Sequence, residues 1–418
     1  MGNAQPKEID LLELYLRDPV VRYNVSCCVN ETERLEGEQD NWAKCLGLFL
    51  PTALLSRPYL LPWEQQAIWA ILFGVMISTA VAGNAIVIWI ILAHRRMRTI
   101  TNLFLLNLAI ADFLLASGNA IFNFVFMLES HWPFGEGFCI ISNFVANLTV
   151  STSVFTILAM SIDRFIAIVR PLRPRMSRLA AYAILTTVWI AGAILSCPSI
   201  LYSTTMTFRY ADRGHRTICY LVWPDGPAGH SYSDHIYNIV FLVLTYALPM
   251  VCMAITYSWV GLVLWGSQVI GENSDFQNDV IRSKQRVVHM LVAIVILFGI
   301  CWLPYHAYFL YVYHHQDALS SQYIQHVYLA IYWLAMSNSC YNPIVYYWMN
   351  SKFRDYFRTV MCLPRRGLRR GWCKHHPKAP KTTTYTCSTR TRSCRVTLPV
   401  PRTPNGVINP PRYVCSRL

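Results

Sequence analysis

Seven long stretches of this chain are almost free of charge. Gln65–Ala93, Gly137–Ile162, Leu179–Phe208, Ile236–Gly271, Val287–Gln316 and Ala318–Ser351 contain no Asp, Glu, Lys or Arg, and Thr99–Leu128 contains only Asp112. Crossing a bilayer takes roughly 20 apolar residues, and a charge inside one costs several kcal/mol. Every run is long enough. The chain is therefore expected to be an all-α membrane protein, a seven-transmembrane helix bundle. Charged residues make up 14% of the sequence, whereas a soluble domain carries about 25%. Buried helices of soluble proteins rarely run this long without charge.

The net charge of +14 does not point to nucleic acid, because of where it lies. Sixteen Lys and Arg against one acid follow from Lys352 to the end. Basic residues also fill the links after the first span (Arg95, Arg96, Arg98), after the third (Arg164 to Arg178) and before the sixth (Arg282, Lys284, Arg286). Acids outnumber bases before the first span, with Glu31, Glu33, Glu36, Glu38 and Asp40 clustered. Basic short loops stay cytoplasmic. The N-terminus is thus expected outside and the C-terminus inside, with the basic tail facing anionic inner-leaflet lipid. The first residues are polar and acidic, so the first span is expected to act as its own insertion signal.

Two sequons, at Asn24 and Asn30, fall on the expected outer side and are candidate glycosylation sites. A third, at Asn147, lies within a span and is expected to be unused. Cys139 tops the third span and Cys219 lies in the loop after the fourth; an oxidising exterior favours pairing them. Cys27, Cys28 and Cys45 are also outside, with partners unassigned. After the seventh span, Phe353, Tyr356, Phe357 and Val360 recur at helical spacing between cations, the pattern of an amphipathic helix on the inner membrane surface. Cys362 at its end is a candidate palmitoylation site. The organisation is therefore read as an outer tail (1–62), a seven-span domain (63–350), a surface helix (351–362) and a disordered basic cytoplasmic tail (363–418), whose Ser and Thr are candidate phosphorylation sites.

Prolines interrupt the last four spans at Pro198, Pro249, Pro304 and Pro343. A proline inside a membrane helix removes one backbone bond and bends the axis. Trp302 stands just before Pro304, and Asn342 just before Pro343, with Tyr346 following. These read as hinges. Asp163-Arg164-Phe165 closes the inner end of the third span.

Taken together these residues resemble the rhodopsin-like G-protein-coupled receptors. The pattern falls on Gly83-Asn84, on Asn107-Leu108-Ala109-Ile110-Ala111-Asp112, on Cys139 with Asp163-Arg164-Phe165, and on Trp189. It continues at Pro249 and Tyr257, at Phe298, Cys301, Trp302 and Pro304, and at Asn342-Pro343 with Tyr346. Phe165 departs from the family's usual Tyr. Ala146 stands where amine receptors carry an Asp, and Met336 where opsins carry a Lys, so both classes are disfavoured. Arg95-Arg96-Met97-Arg98-Thr99, Tyr202-Ser203-Thr204-Thr205, Cys301-Trp302-Leu303-Pro304-Tyr305-His306 and Trp333-Leu334-Ala335-Met336-Ser337 are similar to tachykinin receptors.

That resemblance implies ligand contacts at Asn119, Asn123, His306 and Tyr328. It implies an activation switch made of Asp163, Arg164, Trp302, Pro304, Asn342, Pro343 and Tyr346. It also places Asn84, Ser153, Asn338 and Asn342 around Asp112, an all-oxygen set suited to a sodium ion; the alternative is a protonated Asp112 bonded to Asn342. Ser142, Ser199 and Asn238 replace family contact residues, which fits an invertebrate-like branch. The implied function is a plasma-membrane receptor for an extracellular, amidated tachykinin-like peptide. Its partners would be a heterotrimeric G protein of the phospholipase C and calcium branch, arrestin and a receptor kinase. A receptor for another neuropeptide class is the alternative. A channel or transporter would need more intramembrane charge or a filter. No nucleophile–base pair or metal cluster in the spans suggests an enzyme.

Overall fold

The computed structural model describes residues 61–209, 215–227, 231–266, 275–315, 323–362, 383–389 and 392–398. The sequons at Asn24 and Asn30, the outer cysteines Cys27, Cys28 and Cys45, and the side chain of Cys362 lie outside what it describes.

Seven long helices follow one another: α1 (Trp63–Ala93), α2 (Ile100–Glu129), α3 (Gly135–Val169), α4 (Arg178–Tyr202), α5 (Tyr232–Trp265), α6 (Asp275–His314) and α7 (Ile324–Met349). A shorter α8 (Ser351–Cys362) follows directly. Stretches of α1 to α6 reach mean hydropathies of 1.7 to 2.5, enough to cross a membrane. Helix α7 is long enough at 26 residues but threads Ser337, Asn338, Ser339 and Asn342 through its apolar text. All four are buried, so α7 turns its polar side inward.

The same inversion runs through the molecule. Ile194 and Leu262 stand 71% and 77% exposed on the outer surface, while Asn84, Asp112 and Asn119 are nearly or fully buried. Water rewards the opposite arrangement; hydrocarbon around the bundle rewards this one, because apolar side chains cost nothing there. Helix α3 sits centrally, packed on α2, α4 and α5, while α1, α7 and α6 close the ring. Polar pairs fix the helix register. Asn107 on α2 donates to Thr156 on α3 at 2.8 Å and accepts from the Trp189 indole of α4 at 2.8 Å. Asn147, of the third sequon, donates to Ser199 of α4 at 2.8 Å and to the Tyr237 hydroxyl of α5 at 3.2 Å.

The starts of α2, α4 and α5 are capped by side chains. Thr99 and Ser177 accept from the backbone N–H three residues on, at the first turns of α2 and α4. Such caps contribute about 1 kcal/mol each. Ser231 does the same for α5 and also donates to Asp225 in the preceding loop. That bond and one from the Ser233 amide hold the Asp225 carboxyl down to about 2. Its contribution is therefore intact at neutral pH and is lost only as pH falls from about 4 toward 2.

Two helices depart from regular winding. A π-turn occupies Ala116–Ala120 in α2, and another Val243–Ala247 in α5. The second ends just before Pro249, so it absorbs the backbone bond that proline deletes. Helices α4, α6 and α7 run through Pro198, Pro304 and Pro343 without a break.

Outside the bundle, β1 (Ser203–Arg209) and β2 (His215–Trp223) form an antiparallel hairpin in register Thr205↔Cys219, extended by β3 (Gly226–Pro227). The sequence alone places Cys219 simply in a loop here. At the other end, Phe353 and Phe357 of α8 are buried, with Phe353 packed on Tyr346 of α7 at 5.6 Å. His94, after α1, packs on Tyr356 at 4.2 Å.

Residues 358–418 cluster as a separate unit. Within it the structure describes β4 (Thr383–Thr389) paired antiparallel with β5 (Arg392–Leu398). Thr-rich text suits a pleated ladder over these fourteen positions.

Candidate functional site

The hairpin-bearing end of the bundle, expected to face outward, holds a cluster of amide and aromatic side chains. Asn119 lies in the π-turn of α2, which turns its side chain toward α3 and α7. Its amide donates to the Ser142 carbonyl at 3.0 Å and the Ser142 hydroxyl at 3.1 Å, and its oxygen accepts from the Tyr332 hydroxyl at 2.8 Å. Asn123, one turn further out, donates to the same Ser142 hydroxyl at 3.3 Å and to the Asn119 carbonyl at 3.3 Å. Asn123 is half-buried, whereas Asn119 is buried. The two therefore do share a face, and Ser142 is the residue that joins them.

Tyr332 leads to Tyr328, ring centroids 6.1 Å apart on α7. Tyr328 meets α6 through Tyr308 at 5.3 Å and Phe309 at 6.5 Å. His306 is buried on the α5 side of α6, among Tyr246, Trp302, Tyr305 and Phe241 at 5.3 to 6.3 Å. Its Nε2 has no hydrogen-bond partner. A buried polar nitrogen of this kind costs about 1–3 kcal/mol unless something bonds it. The structure thus joins Asn119, Asn123 and Tyr328 through Tyr332, and reaches His306 only by way of Tyr305 and Phe309.

The hairpin covers this end. Cys139 and Cys219 are bridged, with Cα atoms 5.6 Å apart. Asn143, one turn below Cys139, donates to Ser203 at the start of β1 at 3.1 Å. The link between α2 and α3 pairs with the other side of β2. Trp132 N–H donates to the Thr217 carbonyl at 2.8 Å, Thr217 N–H donates to His131 Nδ1 at 3.0 Å, and Arg216 donates to the Ser130 carbonyl. Ser130 adopts left-handed backbone at φ 52° to make that corner.

At mid-depth, Asp112 accepts from Ser339 Oγ at 3.2 Å and from Asn342 Nδ2 at 2.7 Å. Asn84 donates to the Ser339 carbonyl at 2.9 Å. Among the described residues the oxygens Asn84 Oδ1 and Ser153 Oγ are buried without partners, and Asn338, next to Ser339 on α7, is buried too. Of the expected set, the structure bonds only Asn342 directly to Asp112, and it adds Ser339. The orphaned oxygens fit a hard cation by donor type.

On α6, Trp302 is buried against Phe298, ring centroids 6.1 Å apart. Gly83 of α1 lies against Pro343 of α7; a Cβ there would stand 3.0 Å from the proline ring. At the inner end Arg164 pairs with Asp163 through Nη2 at 2.5 Å and Nε at 3.1 Å. Tyr257 of α5 accepts from Ser161 at 2.8 Å. Phe165 packs edge-on against Trp259 at 6.1 Å.

Tyr332, Ser339 and Ser161 were not legible as functional residues, and Ser142 was legible only as a replaced family contact. Each is a common residue type within an apolar run, and only the packing of helices far apart in sequence gives it a partner.

Residues 83–346 match the family model described as the seven-transmembrane receptor (rhodopsin family). Among characterised relatives, the chain is 54% identical over 326 residues to the tachykinin-like peptides receptor 86C of Drosophila melanogaster, covering 78% of this chain and 64% of that one. It is 49% identical to the tachykinin-like peptides receptor 99D of the same fly, over 73% of this chain and 59% of that one. It is 39% identical to the neuromedin-K receptor of Rattus norvegicus, over 80% and 74%. The match thus spans less than two thirds of either fly receptor's length. The higher identity to the fly proteins accords with an invertebrate-like branch.

Proposed function

The chain belongs to the rhodopsin family of seven-transmembrane receptors, and from that premise we propose that it is a receptor for tachykinin-like amidated peptides. It binds its peptide from outside, in the cavity of Asn123, Tyr328 and His306 beneath the β1–β2 hairpin. It signals through a heterotrimeric G protein of the phospholipase C and calcium branch, with arrestin and a receptor kinase acting on the inner side. The N-terminus is outside and the tail inside, with 1–62 glycosylated at Asn24 and Asn30 and Cys362 palmitoylated.

The observation that supports the peptide reading best is the free polar capacity within an otherwise aromatic cluster. His306 Nε2 is unpartnered and buried, and no hydrogen bond occupies the Asn123 oxygen among the described residues. A peptide backbone or terminal amide supplies both donors and acceptors to such groups. Helices α6 and α7, which carry His306 and Tyr328, also carry Pro304 and Pro343. Ligand bonds formed at their outer ends therefore act on hinges that lie above the Asp163–Arg164 pair. A sodium ion at Asp112, held with Asn84 and Ser153, favours the resting packing.

The test is a calcium readout in cells expressing the chain, challenged with amidated peptides ending in Met and in Arg. A concentration-dependent response to one kind is expected. Silence to both, with the chain at the surface, overturns the ligand assignment. Staining of intact cells by an antibody to the last residues would overturn the orientation.

A further inference from the structure

The outer ends of α5 and α6 meet at two imidazoles. His235, on the first turn of α5, and His314, the last residue of α6, have ring centroids 5.3 Å apart at an interplanar angle of 83°. Tyr313 stacks on His235 at 3.8 Å and 10°, which holds that ring in place. His314 is exposed and His235 half-buried, so an ion in solution can reach both. Neither ring takes part in a hydrogen bond among the described residues, so a nitrogen lone pair stays free on each.

The spacing is chemically specific. Imidazole nitrogens sit about 2.0–2.1 Å from a bound zinc ion. Adding the reach from each nitrogen to its ring centre, two imidazoles on a tetrahedral ion have centroids about 5 Å apart. A second pair, His131 and His215, is 5.8 Å apart but does not qualify. His131 Nδ1 already accepts the Thr217 N–H, which leaves its proton on Nε2 and no lone pair to give.

We propose that His235 and His314 form a two-imidazole site for a borderline transition-metal ion, Zn²⁺ or Cu²⁺, that ties the outer end of α5 to that of α6. No group of three or more His, Cys, Asp or Glu converges among the described residues. Water completes the coordination shell, so the ion exchanges freely and acts as a modulator. Hard cations such as Mg²⁺ prefer oxygen ligands and are rejected. The two helices belong to the wall that carries His306. An ion that fixes their spacing is coupled to any ligand that changes it. The site does not depend on which peptide the receptor takes.

The experiment follows the melting temperature of the full-length chain, purified in detergent, during titration with Zn²⁺ and separately with Mg²⁺. Zn²⁺ is expected to raise it in the wild type. The rise is expected to disappear in His235→Ala and in His314→Gln, two substitutions near the surface whose metal-free melting stays at the wild-type value. The Cu²⁺-loaded wild type should show nitrogen hyperfine splitting from two imidazoles. No Zn²⁺ effect in the wild type, an equal effect of Mg²⁺, or an undiminished Zn²⁺ effect in both variants overturns the site. In cells, Zn²⁺ should shift agonist potency by about fivefold or more, the lower end of common allosteric couplings, in the wild type alone. A failure to respond to tachykinin-like peptides would leave the melting and spectroscopic readings standing, so the two proposals fail separately.

Discussion

Asn119 and Asn123 are one residue type one helical turn apart, yet the structure separates their roles. Both Asn119 amide hydrogens and its oxygen are engaged by Ser142 and Tyr332. Asn119→Ala therefore strands buried groups on two other helices, at about 1–3 kcal/mol each. It is expected to lower surface expression and melting temperature together with peptide potency. Asn123→Ala is expected to weaken potency by about tenfold at wild-type surface level, the loss of one bond of about 1.4 kcal/mol. Cell-surface staining and calcium dose–response curves measure both. Equal effects of the two substitutions on expression would remove the distinction. At the inner end, the Asp163–Arg164 pair is closed in this structure. Asp163→Asn is expected to raise basal signalling, and Arg164→Ala to cut stimulated signalling while binding is kept. Inositol phosphate turnover without and with peptide reads these, and unchanged values in both variants would dissociate the pair from activation.

At the scale of elements, legibility depended on how local the cause was. The spans could be read because a charge-free run is a property of a single segment. The Cys139–Cys219 bridge was favoured by the oxidising side of the membrane, although Cys27, Cys28 and Cys45 share that side. The π-turn in α2 could not, because Ala116-Ser117-Gly118-Asn119-Ala120 carries no proline and no break in apolar text. That turn decides which way Asn119 points, so its partners Ser142 and Tyr332 were hidden with it. The hairpin was hidden for a similar reason: its strands pair with each other and with the α2–α3 link, over separations of up to about 90 residues. Gly83 shows a local signal with a distant cause. Its lack of a side chain lets Pro343 of α7 lie against α1. Gly83→Val should overpack this contact, at about 1–3 kcal/mol. A drop of several degrees in the detergent melting temperature is the expected result, and an unchanged value would show that α1 and α7 separate without cost.

For the whole molecule, the polar core is the shared resource that couples outer, middle and inner layers. Asp112 sits at its centre, bonded to Ser339 and Asn342 of α7, and Asn84 of α1 bonds the Ser339 carbonyl. The proposed sodium ion is expected to lower agonist affinity when it replaces a bulky organic cation at matched ionic strength. Asp112→Asn should abolish that difference. If wild-type affinity ignores sodium, Asp112 serves the packing of α2 on α7 alone.

The bonds of that core also set an order of events at birth. Asp112 meets Asn342 across 230 residues of chain, and Asn119 meets Tyr332 across 213. Ribosomes extend a chain at roughly 5–20 residues per second. Helix α2 therefore waits on the order of ten to forty seconds in the translocation machinery before its partners on α7 emerge. During that interval the Asp112 carboxyl and the Asn119 side-chain oxygen stand in or beside lipid without their α7 partners. The nascent protein depends on being shielded until its last span is delivered. A ribosome that stalls before α7 leaves a product with polar groups exposed to hydrocarbon, the mark by which quality control in the membrane can recognise it.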